Sequence, residues 1–140
     1  MGSRRKAREL AVQVLFCLEF LEGDVPAVFD LVCENFSSRK APWAFARDLV
    51  LGTCKKVTVI DEMIRRSSRN WRLERMSRLD RSILRLAVYE LLYKEDIPPK
   101  VSIDEAVDLG KRFGNVESGK FINGILDDIY SSMRGKITTQ

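Results

Sequence analysis

The 140-residue chain contains no histidine. That absence removes Ser/His/Asp and Cys/His nucleophilic catalysis, histidine proton shuttles and every histidine-containing zinc site. Cysteine is scarce. Cys17, Cys33 and Cys54 stand far apart with no C-x-x-C spacing, which excludes a zinc ribbon or a thioredoxin-like motif. An odd number of thiols set in apolar stretches fits a reducing, cytoplasmic compartment. Only four prolines occur, and no Asn-Gly or Asp-Gly pair joins two alternating runs, so strand and hairpin signals are missing. No apolar run approaches the ~20 residues of a membrane span. The start, Met1-Gly2-Ser3-Arg4-Arg5-Lys6, precedes an apolar stretch broken by Gln13 and Glu19, so it does not read as a signal peptide. Lys6 stands where myristoylation requires Ser or Thr. The segment reads as mature protein.

What remains is a helical, globular composition. Hydrophobic residues make up 45% and charged residues 31%, which favours a folded domain over a disordered chain. The length suits one domain over 1–140 that needs no metal or disulfide staple. The spacing predicts a first helix over about 4–20, with Ser3 as N-cap and an apolar stripe of Ala7, Leu10, Ala11, Val14, Leu15 and Leu18. A second helix begins near Pro26, and a loop follows through 37–40. A third, long helix is predicted over about 42–66, with Trp71 anchoring the connection after it. Ser77-x-x-Asp80 resembles a capping box and opens a fourth helix. Its apolar residues cover most of its circumference, placing it at the centre. Ser102-x-x-Glu105 reads as the cap of a fifth helix ending at Gly114. Ser118 opens a sixth, with Gly135 beyond its end. The expected fold class is all-α: a compact bundle of six to seven helices in two packed helical subdomains.

Four constellations carry chemistry. On the first helix, Arg5, Glu9, Gln13, Phe16 and Phe20 lie broadly opposite the apolar stripe, and Arg4, Lys6 and Arg8 add charge. Cations bind phosphate, Gln reads a base edge and Phe stacks an unpaired base, so this face suits RNA. A solvated basic face, with its aromatics covered by another element or a second subunit, explains the same residues. The segment from Lys55 to Arg85 holds ten Lys or Arg against four Asp or Glu, +6 of a chain whose net is +4. It is either a phosphate-facing patch or a set of solvated helix ends with pairs such as Asp61/Arg65. Gly114-x-x-x-x-Gly119-Lys120 has P-loop spacing, but Phe121 follows where Mg²⁺ needs Ser or Thr, and no strand precedes it. A backbone phosphate docking at this helix start is the alternative. The neighbouring carboxylates Asp104/Glu105 and Asp127/Asp128 do not face each other on a helix, and Asp104 with Asp108 lacks a third ligand. No metal or cofactor is expected. Glu90 falls on the apolar side of the fourth helix and needs an arginine or a partner.

Several stretches, in order, resemble the NusB family of bacterial transcription antitermination factors. They are Arg4-Arg5-Lys6-Ala7-Arg8-Glu9-Leu10-Ala11-Val12-Gln13-Val14-Leu15-Phe16, then Trp71-Arg72-Leu73-Glu74-Arg75 with Leu79-Asp80-Arg81-Ser82-Ile83-Leu84-Arg85 through Leu91. Pro98-x-Lys100-Val101-Ser102-Ile103-Asp104-Glu105 and Ser118-Gly119-Lys120-Phe121-Ile122-Asn123-Gly124 complete the series. The resemblance implies one RNA-binding helical domain and no catalysis. It implies binding of single-stranded boxA RNA from ribosomal RNA leaders, together with the ribosomal protein NusE, on the transcription elongation complex. By resemblance, Arg4, Arg5, Lys6, Arg8, Gln13 and Phe16 contact RNA, with Phe16 where the family often has tyrosine. Lys120 and Phe121 match a second RNA zone. Asp80, Arg81, Arg85 and Glu90 match the side that meets the partner protein. Two rivals stand beside this reading. One is a protein-only adaptor that self-associates, as a homodimer, through the Phe16/Phe20 face. The other is the targeting domain of an RNA methyltransferase, which would need a cofactor-binding domain on another chain.

Overall fold

The computed structural model describes residues 2–21, 23–36 and 42–138. Among them are seven α-helices and no strand: α1 (Gly2–Leu18), α2 (Val25–Phe36), α3 (Trp43–Lys55), α4 (Val57–Ser67), α5 (Arg78–Tyr93), α6 (Pro99–Phe113) and α7 (Val116–Thr138). A single 3₁₀ turn, Leu73–Arg75, precedes α5. The predicted loop at 37–40 lies outside the described residues.

The centre is α5, as its apolar circumference requires. Ile83, Leu84, Leu86, Ala87 and Val88 are all buried. Helices α1 and α3, joined by α2, pack against it, and so do α4, α6 and α7, with α6 paired to α7, giving the two expected subdomains. The stripe Ala7, Leu10, Ala11, Val14 and Leu15 is buried as its spacing demands. Close approach of α3 to α5 depends on Gly52, where a Cβ would stand 2.1 Å from the Tyr89 ring. Gly23, at φ +151°, turns the chain between α1 and α2, with Pro26 in the first turn of α2.

Five local expectations need correction. The helix predicted over 42–66 divides at Lys56, where φ −106° and ψ 16° leave the α region. Four β-branched residues in succession, Val57 to Ile60, weaken helix propagation there. The break turns α4 away from α3 and across α5 and α7. The connection after α4 is anchored by Leu73 and Met76, both buried, and not by Trp71, which is 53% exposed. Helix α1 begins at Gly2, so Ser3 lies inside it. Helix α6 begins at Pro99, whose missing N–H costs nothing in a first turn, so Ser102 lies inside the helix and not at its cap. Helix α7 begins at Val116 because Asn115 caps it, its Oδ1 accepting the Ser118 N–H at 2.8 Å, and it runs past Gly135 to Thr138. At α5 the capping expectation holds in one direction: the Ser77 hydroxyl accepts the Asp80 N–H at 3.0 Å.

Candidate nucleic-acid interface

The exposed side of α1 carries Arg5, Lys6, Gln13 and Phe16, with Arg4 exposed at the helix start and Phe20 in the turn after the helix. The four helix positions are outward because the apolar stripe is committed to the core, and 100° per residue leaves them on the other side. The three cations are exposed and paired within the chain. Arg5 donates two hydrogen bonds to Glu105 at 2.9 and 3.3 Å, Lys6 lies 3.5 Å from Glu9, and Arg4 lies 3.6 Å from Asp96 and stacks over Phe45. The Arg4–Asp96 pair, exposed on both sides, contributes little and exchanges readily for phosphate, whereas Arg5 grips a largely buried Glu105 with two hydrogen bonds.

Phe16 is 36% and Phe20 55% exposed, with ring centroids 5.1 Å apart. The Arg78 guanidinium lies 4.4 Å over Phe20. Phe16, Gln13, Leu79 and Phe113 line an apolar hollow of 470 Å³. A second hollow, of 680 Å³, lies between the α4–α5 connection and the start of α7, with Trp71, Asp80, Asn115, Lys120 and Phe121 in its walls. The first turn of α5 contributes to both hollows, through Leu79 to the first and Asp80 to the second, and the α6–α7 junction does so through Phe113 and Asn115. Gln13 and Phe16 line the first hollow; Asp80, Lys120 and Phe121 line the second. Lys120 is exposed, 3.8 Å from Glu117 on the same helix. The helical segment before Gly114 and the helical position of Lys120 leave no P-loop.

Other predicted residues fall elsewhere. Arg8 is 4% exposed and Glu90 is 2% exposed. Arg8 donates from Nε and Nη2 to the two Glu90 oxygens at 2.9 and 2.8 Å, and the Ser102 hydroxyl donates to Glu90 at 2.8 Å. The pair ties α1 to α5 and α6. Its charges are spent inside the fold, so Arg8 presents nothing to RNA and Glu90 nothing to a partner. Arg81 and Arg85 are also engaged. Arg81 hydrogen-bonds Glu19 and the Leu73 carbonyl; Arg85 holds Asp61 at 2.8 and 2.9 Å and Glu19 at 3.0 Å. Burial pushes the Glu19 carboxyl up, but hydrogen bonds and charge from Arg81 and Arg85 outweigh it and hold the group below its ordinary range. Of the predicted partner-facing set, only Asp80 reaches the hollows. Sequence reasoning did not place Phe113 or Trp71 here. Phe113 stands one residue before Gly114, and Trp71 stands in a polar run of Ser67, Ser68, Arg69, Asn70 and Arg72, which was the available signal of exposure.

Residues 5–131 match the NusB family. Relatives named "Transcription antitermination protein NusB" are similar over nearly their whole length. The one from Desulfatibacillum aliphaticivorans is 47% identical over 93% of this chain and 91% of its own. The one from Myxococcus xanthus is 48% identical over 92% and 95%. The chain belongs to the NusB family. Its fold agrees with solved NusB structures. NusB of T. maritima superposes with a TM-score of 0.81 at 41% identity, over 90% of this chain and 89% of that one. A crystal structure of the antitermination factors NusB and NusE in complex with dsRNA superposes at 0.86 with 28% identity, over 94% and 98%. A NusB family of transcription antitermination proteins agrees with the expectation that the chain is not an enzyme. No helix among the described residues is long and apolar enough to cross a membrane.

Proposed function

We propose that this NusB-family chain is a cytoplasmic transcription antitermination factor that binds boxA-type RNA of ribosomal RNA leaders. It does so together with the ribosomal protein NusE, on the transcription elongation complex, and promotes ribosomal RNA transcription. The observation that carries this reading is a pair of hollows, one lined by Gln13 and Phe16 and the other by Lys120 and Phe121, together with the exposed cations Arg4, Arg5 and Lys6 on α1. Exposed rings favour unpaired bases, which stack on them, so the strand bound is single. The cations add affinity that is independent of sequence and falls with salt. Asp80, half-buried in the wall of the larger hollow, is the residue of the expected partner-facing set left to meet the partner protein. The likeness to a NusB–NusE–RNA complex supports both partners.

The test is fluorescence anisotropy with a boxA-like single strand, its duplex and a scrambled strand, with and without NusE. Preference for the boxA-like single strand, strengthened by NusE, supports the reading. Equal binding to all three, erased by salt and unchanged by NusE, refutes it. One observation favours a second reading. Phe16, Phe20 and Phe113 form an exposed apolar group that a second copy could cover. Sedimentation equilibrium tests this: a dimer abolished by Phe16→Ala, with no RNA preference, supports the self-associating adaptor.

A further inference from the structure

Every other strongly exposed aromatic ring near the interface has a partner. Phe16 meets Phe20, Phe20 lies beneath Arg78, and Phe113 lies beneath Arg112. Trp71 is 53% exposed, and its ring meets no aromatic or cationic group among the described residues. It is nevertheless held in place. The Trp71 N–H donates to the Ser68 carbonyl at 3.1 Å, the Ser68 hydroxyl donates to the Ile64 carbonyl at 2.8 Å, and Leu73 is buried on the other side. An indole fixed at its backbone but idle at its ring costs exposed apolar area with no return in folding.

Trp71 forms a wall shared by two hollows. The 680 Å³ hollow is also lined by Phe121 and Lys120. A smaller hollow of 360 Å³ on the α4–α5 connection is lined by Arg65, Arg69 and Arg72. Glu74 also lines it and engages Arg65 at 3.2 Å; Arg72 adds to the positive field on Glu74, but neither Arg69 nor Arg72 makes a close ion pair among the described residues. A flat ring beside three guanidinium groups that outnumber the one carboxylate is the combination that binds a single-stranded nucleotide: a stacking face for the base and fixed charge for the phosphates.

We propose that the α4–α5 connection is an additional RNA subsite, in which an unpaired base outside the boxA element stacks on Trp71 while Arg69 and Arg72 hold the adjoining phosphates. The inference rests on the RNA-binding reading above and extends it. A strand leaving the Phe121 side of the large hollow reaches Trp71 across that same hollow. Because every base has a π-face, this subsite adds affinity with little sequence preference. It makes length of the bound strand, and not only its core sequence, a determinant of binding.

Two sets of RNA test it: the boxA-like strand alone, and the same strand extended by several unpaired nucleotides at its 5′ or 3′ end. Binding is measured for the wild type, Trp71→Ala, Trp71→Phe and Arg69→Ala/Arg72→Ala, each first checked for unchanged helical circular dichroism. One extended strand is expected to bind more tightly than the core strand. Trp71→Ala should weaken that strand about 5- to 150-fold, the range of one base–aromatic stack, and so remove its advantage over the core strand. Trp71→Phe should restore part of the gain. The double arginine variant should flatten the salt dependence by about 1.4 in log–log slope, for two lost phosphates on a single strand. Indole emission in a Trp43→Phe background should be quenched by the extended strand only.

A core strand that binds and responds to Phe16→Ala, with no gain on extension or a gain that persists in Trp71→Ala, overturns the subsite and leaves the proposed function standing. A Trp71→Ala variant that keeps full RNA affinity but loses NusE overturns it in favour of a protein contact. If no strand binds above the scrambled control, the proposed function and the subsite fall together.

Discussion

Substituting Arg8 separates a structural cation from an RNA-binding one. Arg8→Ala removes two charge-assisted hydrogen bonds of 2.8 and 2.9 Å and leaves the Glu90 carboxylate buried with Ser102 as its remaining close donor. Breaking a buried ion pair on one side costs about 3–5 kcal/mol, mostly as the penalty of the charge left behind. At about 2.1 cal/mol/K per residue, a chain of this length should lose roughly 10–17 °C in Tm. Thermal melting followed by helical circular dichroism measures this. Replacing both partners, as Arg8→Met with Glu90→Met, should recover most of the loss, since apolar substitutes of similar volume remove the stranded charge. Well below its Tm, Arg8→Ala should bind RNA with the wild-type salt slope, in contrast to Arg5→Ala. A variant that melts within about 3 °C of wild type but binds RNA with a shallower salt slope would refute the reasoning and return Arg8 to the RNA surface.

Glu19 is held below the ordinary carboxylate range, so its contribution to stability is present at neutral pH and disappears as pH falls through its folded value. Urea denaturation of wild type and Glu19→Gln should differ clearly at pH 7, and the difference should shrink as pH falls below the ordinary carboxylate range. Gly52→Ala should destabilise the domain by about 1–3 kcal/mol in urea, because the added methyl meets the rigid Tyr89 ring. Asn115→Ala removes the α7 cap and should cost about 1 kcal/mol by the same assay, with Asn115→Ser retaining most of it.

The helical class, the central α5 and the α1 stripe were legible because each rests on periodicity, which a single chain displays directly. The outward placement of Gln13 and Phe16 follows from the same geometry once the stripe is assigned to the core. What periodicity does not reveal is pairing across distance. Arg8 falls at the edge of the apolar stripe beside Ala11 and Leu15, where Arg5 does not, but its partner Glu90 is 82 residues away and no local pattern names it. The same holds for Arg81 and Arg85, drawn inward by Glu19 and Asp61. The division at Lys56 and the caps at Pro98 and Asn115 were misjudged because local signals competed. A β-branched run outweighed an unbroken apolar stripe, and Ser102 and Ser118 stood where a cap was plausible but an earlier residue started the helix. Trp71 reads from the sequence as the anchor of the connection after the third helix, although its polar neighbours point outward.

The central claim is that exposed rings at the end of α1 let this chain discriminate among RNA sequences. The most direct test is the ratio of affinities for boxA-like and scrambled single strands, measured at one salt concentration for wild type and Phe16→Ala. The account predicts a ratio well above one in the wild type that falls towards one in Phe16→Ala, while salt-dependent binding to both strands persists through Arg4, Arg5 and Lys6. An unchanged ratio in a folded Phe16→Ala variant would contradict it and place sequence recognition elsewhere on the molecule.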